Sequence, residues 1–284
     1  MTLWTDMQDL QYSLYYLDAD GIRTRVLEAG SGEPLILLHG TGGHIEAYGR
    51  NMKGLSEKFR VICIDMLGHG YTDKPDKPYG IDLYSDHLLA VIKALDLKEV
   101  LLSGESLGGW VAAWFAAHHP QYVKRMVLNT PGNVNSDPEI MAKLKASTIK
   151  AVVEASYENV KTRLEWLMYD KSQVTEELIE ARYKIYTQPS YQRAVYNIVH
   201  LQEVEPRKQY IWNPAWCSKI KAPTLLAWTD HDPTSTVEQA KPIQEMIPGS
   251  ELTVIKDAGH WPQWEQVEAF NQVTIDYLTE KAHV

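Results

Sequence analysis

A serine set between glycines, a histidine in a short loop and two aspartates upstream of it are the residues whose types could act together chemically. Ser106 stands in Gly104-Glu105-Ser106-Leu107-Gly108-Gly109, directly after the apolar run Val100-Leu101-Leu102-Ser103 and before a small-residue helical run, Trp110 to His118. That order reads as strand, sharp turn, helix. A side chain at the apex of such a turn sits at strained backbone angles, so its neighbours must lack bulk. The helix starting there aims unpaired N–H groups and its positive dipole end at any oxyanion forming beside the serine. The competing reading is an ordinary helix-capping serine. The strand in front and the glycines on both sides favour a nucleophile.

An alcohol nucleophile needs a base, and the base needs an orienting acid. His260 lies in Lys256-Asp257-Ala258-Gly259-His260-Trp261, just after the strand-like Glu251–Ile255, hence at the same sheet edge as Ser106. Asp230 and Asp232 both follow an apolar run ending at Trp228. Asp232, farther along its loop, has the better reach and is the expected acid; Asp230 reads as a solvated turn residue. A second glycine-rich turn, His39-Gly40-Thr41-Gly42-Gly43, follows the apolar Pro34 to Leu38. One oxyanion donor would be the backbone N–H of Leu107, and Gly42 or Thr41 could supply the other. His39 reads as a structural histidine buried in that turn.

These residues need a sheet to position them. Tyr12 to Asp18 and Ile22 to Glu28 predict two strands joined at Ala19-Asp20-Gly21, an Asp-Gly hairpin signal. Pro34 to Leu38, Phe59 to Ile64, Val123 to Leu128 and Pro223 to Trp228 read as continuous apolar strands, alternating with helical stretches such as Ile81 to Leu95. That pattern predicts an α/β fold with a mostly parallel sheet covered on both faces, whose sites lie beyond the carboxyl ends of the strands. From about Asp137 to Tyr210 the chain is helical, charged and aromatic, with no convincing parallel strand. The expected organisation is a core of residues 1–132 and 211–284 with residues 133–210 as an inserted helical lid. Within the lid, Thr175 is a good N-cap and Glu176 and Glu177 suit a first helical turn. Leu178, Arg182 and Ile185 then share one face, so Arg182 needs a counter-charge from a protein carboxylate or a substrate.

Composition bounds the rest. The 284 residues are 44% apolar and 23% charged, as in ordinary soluble globular proteins. A net charge of −9 without a basic block argues against a nucleic-acid partner. The start, Met1-Thr2-Leu3-Trp4-Thr5-Asp6, has no basic segment or apolar core, so no signal peptide is expected. No run approaches the ~18 apolar residues of a membrane span. Cys63 and Cys217 read as free buried thiols, consistent with the cytoplasm. Nine Trp and sixteen Tyr against three Phe suit a pocket or interface of amphipathic rings. His118-His119 before Pro120 reads as surface histidines at a helix end, and no metal is implied.

The elbow, the His39-Gly40-Thr41-Gly42-Gly43 turn, Asp65-Met66-Leu67-Gly68-His69-Gly70-Tyr71-Thr72-Asp73-Lys74-Pro75 and Gly259-His260-Trp261 resemble the α/β-hydrolase superfamily. The chain order Ser, Asp, His is that superfamily's order. Ala155-Ser156-Tyr157-Glu158, Tyr169-Asp170, Thr175-Glu176-Glu177-Leu178 with Arg182, and Gly259 through Glu265 are similar to the meta-cleavage-product hydrolases, which cut a carbon–carbon bond in 2-hydroxy-6-oxo-dienoates from aromatic-ring catabolism. The resemblance implies an eight-stranded sheet with the lid inserted after the sixth strand. It also implies a small-molecule substrate, no cofactor and a homo-oligomer, a dimer. It makes Arg182 the ligand of the dienoate carboxylate and Trp261 a pocket wall, with Glu105 and Gly40 beside the substrate. Two features depart from the family: Glu105 stands where Asn is common, and Thr41 interrupts an oxyanion turn shorter than the usual Gly-Gly-Gly-Pro-Gly. A carboxylesterase or lactonase using the same triad on carboxylate-bearing esters is the alternative, and a non-catalytic ligand receptor on this fold is a third reading. A serine at the elbow argues against haloalkane dehalogenases and epoxide hydrolases, which carry Asp there.

Overall fold

Eight strands form one sheet in the order β1-β2-β4-β3-β5-β6-β7-β8 in a computed structural model that describes residues 3–134 and 137–279. They are β1 Tyr12–Ala19, β2 Ile22–Ala29, β3 Glu33–Leu38, β4 Phe59–Ile64, β5 Val100–Glu105, β6 Val123–Asn129, β7 Thr224–Thr229 and β8 Glu251–Ile255. The expected Asp-Gly hairpin joins β1 to β2, and β2 meets β4 antiparallel; every other pairing is parallel. The register aligns Leu38 with Gly104, Glu105 with Asn129 and Asn129 with Ala227. The turns after β3, β5, β6 and β7 therefore open at one edge.

Alternation along the strands sorts two apolar layers. Ile36, Leu38, Leu102, Leu128 and Leu226 face the side of the elbow helix Leu107–His118, while Leu35, Leu37, Leu101, Val127 and Leu225 face Phe270 and Tyr277. All six residues of β5 are buried, because helices cover both faces of this central strand. Each fully buried leucine contributes roughly 1.5–3 kcal/mol, so the strand bearing the site is firmly held.

Between β6 and β7 the chain folds into helices Pro138–Val153, Tyr157–Leu167, Glu176–Tyr186, Pro189–Ile198 and Val204–Lys208. Side chains cap three of them: Asp137 accepts from Glu139 N–H, Ser156 from Asn159 N–H and Thr175 from Leu178 N–H. Leu178, Arg182 and Ile185 are buried on one face, as their spacing predicts. Cys63 and Cys217 are buried free thiols, and no described helix is long and apolar enough to cross a membrane.

Candidate active site

Ser106 sits at φ 53°, ψ −115°, a backbone state that costs about 1–3 kcal/mol and persists only where the surroundings enforce it. Here they do. Its N–H donates to Asn129 O at 3.0 Å, and its carbonyl accepts from Gly132 N–H at 2.7 Å and Trp110 N–H at 3.0 Å. A Cβ on Gly104 would lie 2.4 Å from Gly108 O, and one on Gly108 would lie 2.2 Å from Leu38 O. Backbone against backbone leaves no room to yield, which is the physical reason for glycine on both sides of the serine. The elbow helix begins at Leu107, three residues before the small-residue run suggested, because Ser106 itself is its N-cap.

The loops after β7 and β8 bring Asp232 to His260, with Asp232 Oδ2 2.9 Å from His260 Nδ1. Asp232 is held in turn by Thr234 N–H and hydroxyl on Oδ1, at 2.7 and 2.8 Å, and by the Ser235 hydroxyl on Oδ2 at 3.2 Å. Asp230 points elsewhere, 3.9 Å from both Lys256 and His231. The His260 backbone is fixed by its N–H to Leu167 O at 2.7 Å and by the Thr130 hydroxyl on its carbonyl at 3.2 Å. Glu265 completes the clamp. Its Oε1 accepts from Gly259 N–H at 2.8 Å, while Oε2 accepts from Tyr169 and Asp170 N–H at 2.8 and 3.0 Å, tying the histidine loop to the lid.

Ser106 and His260 line the same cavity, yet no hydrogen bond joins them among the described residues. His260 Nε2 instead lies 3.3 Å from Glu105 Oε1. Glu105 Oε2 accepts from Gly40 N–H at 2.7 Å, and the side chain is 1% exposed. The imidazole is thus bracketed by two carboxylates. Burial opposes its charge, but Asp232 and Glu105 outweigh that and raise its pKa above the usual value. Burial likewise raises the Glu105 pKa, against the lowering effects of His260, Gly40 N–H and Arg182. Gly40 and Glu105 both line the cavity, with the Gly40 amide donating to Glu105 and Glu105 set against His260.

The turn after β3 approaches as its glycines suggest. Gly42, at φ +74°, packs beneath Tyr186, whose hydroxyl donates to Gly42 O at 2.9 Å. Thr41 lines the cavity with Leu107, whereas Gly42 does not. Arg163, which sequence reasoning missed, braces this turn: its NH1 donates to Ser147 Oγ at 2.7 Å and its NH2 to Thr41 O at 3.5 Å. His39 is buried, takes Met66 N–H on Nε2 at 3.0 Å, and has its pKa pushed down to about 3 by burial, the state of a neutral structural histidine.

The cavity holds about 770 Å³ of unfilled space including its open mouth. Val134, Met141, Leu144, Leu167 and Trp261 make much of it apolar. Arg182 packs on Trp261, one wall of the cavity, its guanidinium 4.7 Å from the indole centroid. It is fully buried, and NH1 and NH2 have no hydrogen-bond partner among the described residues. Only its Nε is engaged, 3.5 Å from His44 Nε2, whose Nδ1 lies 2.7 Å from Glu46.

Residues 33–267 match the alpha/beta hydrolase fold family. The chain is 33% identical over 270 residues to the 2-hydroxy-6-oxo-2,4-heptadienoate hydrolase of Pseudomonas putida, covering 92% of this chain and 94% of that one. It is 30% identical to the 2-hydroxymuconate semialdehyde hydrolase of Pseudomonas sp. strain CF600, covering 92% of each. Among solved structures it is similar to the meta-cleavage product hydrolase of Pseudomonas fluorescens IP01, with a TM-score of 0.79 at 29% identity over 93% of this chain and 96% of that one. Match, fold and elbow geometry agree: this chain belongs to the α/β-hydrolase fold family and groups there with the meta-cleavage-product hydrolases.

Proposed function

We propose that this protein is a serine-type hydrolase that cleaves the carbon–carbon bond of 2-hydroxy-6-oxo-hexa-2,4-dienoate-type compounds, with Ser106, His260 and Asp232 as its triad. The observation that carries the reading is Arg182, a buried guanidinium with two unpartnered nitrogens that packs on Trp261, a wall of the Ser106 cavity. An uncompensated buried cation is costly, and a bidentate carboxylate is the ligand its fork fits. The relatives' printed names supply the rest of that substrate.

With the carboxylate on Arg182, the dienol ketonises by taking a proton at C5. The C6 carbonyl then meets the elbow, where the N–H groups of Leu107 and Thr41 hold the developing oxyanion. His260, freed from Glu105, takes a proton from Ser106 or from water. The oxygen so deprotonated bonds to C6, the C5–C6 bond breaks, and C5 keeps the electron pair and takes the proton from His260 to give 2-hydroxypentadienoate; C6, with the hydroxyl of one water added directly or by hydrolysis of the Ser106 ester, leaves as a carboxylic acid. The lid of residues 133–210 excludes water from the ketonised intermediate. The same resemblance supports a homodimer, and the cysteine usage supports the cytoplasm.

The test is rapid mixing with several such dienoates while following decay of the yellow dienolate absorbance. First-order decay at catalytic enzyme concentration is expected; persistence of the colour with every substrate, alongside rapid turnover of 4-nitrophenyl esters, would replace this reading with an esterase.

A further inference from the structure

Three buried arginines stand around this site, and they spend their donors differently. Arg163 and Arg207 line the Ser106 cavity, while Arg182 packs on its Trp261 wall. Arg207, in the short lid helix Val204–Lys208, belongs to the β6 side. There Tyr210 N–H donates to Arg207 O at 3.0 Å, and Tyr210 O accepts from Trp110 Nε1 at 3.1 Å and Asn133 Nδ2 at 3.5 Å. Arg163 gives NH1 to Ser147 Oγ and NH2 to Thr41 O, and its Nε has no partner among the described residues. Arg182 is the reverse: its Nε is engaged, and its two outer nitrogens are the unpartnered ones.

The group that engages Arg182 Nε is a ring nitrogen, His44 Nε2, at 3.5 Å. Guanidinium N–H groups only donate, so Nε2 must offer its lone pair. The other side of the ring agrees. His44 Nδ1 lies 2.7 Å from Glu46 Oε2, and Glu46 Oε1 takes Arg25 NH2 at 2.5 Å. Burial opposes the Glu46 charge, but the bonds from His44 and Arg25 outweigh it and lower its pKa. An ionised carboxylate only accepts, so Nδ1 carries the proton. Both neighbours thus select one tautomer of His44, Nδ1–H with a bare Nε2. A second proton on Nε2 would meet Arg182 donor to donor.

The segment bearing this imidazole is itself fixed. Ile45 N–H donates to Asp65 Oδ1 at 2.8 Å, and Asp65 Oδ2 takes Tyr71 N–H at 2.8 Å and Arg25 NH1 at 3.3 Å. Arg25 lies in β2 and Asp65 follows β4, so the core sets His44, and His44 sets a side chain of the lid. We propose that His44, oriented by Glu46, is a positioning residue for the substrate: it pins Arg182 by Nε and leaves NH1 and NH2 as a fixed fork for a carboxylate. The inference rests on the carbon–carbon hydrolase reading, which puts the dienoate carboxylate on Arg182. A neutral acceptor suits this task. A carboxylate in place of His44 would satisfy the guanidinium charge and compete with the ligand, whereas imidazole fixes the fork and leaves its charge unpaired. Ordering the fork before binding spares the substrate that cost.

The experiment is a double-mutant cycle on the KM for a 2-hydroxy-6-oxo-hexa-2,4-dienoate. His44→Phe keeps a ring and removes the acceptor; it should raise KM by about 10-fold, with a smaller change in kcat. His44→Gln, whose Oε1 can stand in for Nε2, should recover most of that loss. In an Arg182→Met background, His44→Phe should change KM by less than about 2-fold, because the group it positions is gone. A KM unaltered in His44→Phe, or single effects that simply add in the double variant, overturns the positioning role and leaves the carbon–carbon reading standing. Thermal melts identify any variant that fails to fold. Glu46→Gln, a milder change at the far end of the chain of contacts, should then raise KM by about 3-fold with Arg182 present and leave it unchanged without. Should no dienoate react, the carbon–carbon reading fails, and the imidazole still tests the positioning role. In nitrogen NMR spectra of the histidine rings, the signal lost in His44→Gln should show a protonated Nδ1 and a bare Nε2; a proton on Nε2 overturns the inference.

Discussion

Glu105 Oε1 lies 3.3 Å from His260 Nε2, the nitrogen a serine nucleophile would need. With Nδ1 donating to Asp232, either the imidazolium donates to the Glu105 carboxylate or the protonated Glu105 donates to neutral imidazole. In both forms one proton sits between them, and Ser106 gains its base only when His260 trades Glu105 for the serine hydroxyl.

That relationship predicts the pH profile. His260 acts as a base when deprotonated, and its pKa is raised, so kcat/KM falls as pH drops through an apparent pKa above the ordinary histidine value. Glu105→Gln removes one of the two raising carboxylates and should move this acidic limb to lower pH. A limb that stays in place would mean that Glu105 does not act on His260 in solution.

Triad substitutions should separate binding from turnover. Ser106→Ala and Asp232→Asn are each expected to lower kcat by about 10³-fold or more. Ser106→Ala should still bind the dienoate, visible as a shift in its absorbance on titration. Asp230→Asn, whose carboxylate faces Lys256 and His231, should stay within about 2-fold of the parent in kcat.

Arg182→Met should raise KM for a dienoate by about 10- to 100-fold, the loss of a bidentate ion pair. The same variant should melt at or above the parent temperature, because it removes a buried charge that no described carboxylate satisfies. A fall in melting temperature of several degrees would mark Arg182 as structural.

Glu265→Ala strips the acceptor from three backbone N–H groups, those of Gly259, Tyr169 and Asp170. Destabilisation of about 2–3 kcal/mol is expected by denaturant titration, with a fall in kcat as the His260 loop loses its anchor. Equal stability of variant and parent would remove Glu265 from the account.

The sheet, the elbow and the order of the catalytic groups are legible in the chain, because each has a local signature. Apolar runs closed by turn residues mark β3 through β7, the glycines around Ser106 record an approach that excludes any Cβ, and Thr175 announces the helix that buries Arg182. Loop reach pointed to Asp232 over Asp230, and the 2.9 Å contact with His260 is what separates them. Tertiary structure alone decided where the charges go. Glu105 adjoins Ser106 in the chain, yet its side chain bonds Gly40, 65 residues away. Glu265 reaches back to Tyr169 in the lid, and Arg207 faces the cavity only because its short helix docks beside Trp110 and Asn133. Periodicity and turn chemistry report on neighbours within about one helical turn or one strand pair. Which buried charge finds a partner, and which is left for a ligand, depends on how separately formed elements are rotated and stacked, and no local pattern encodes that.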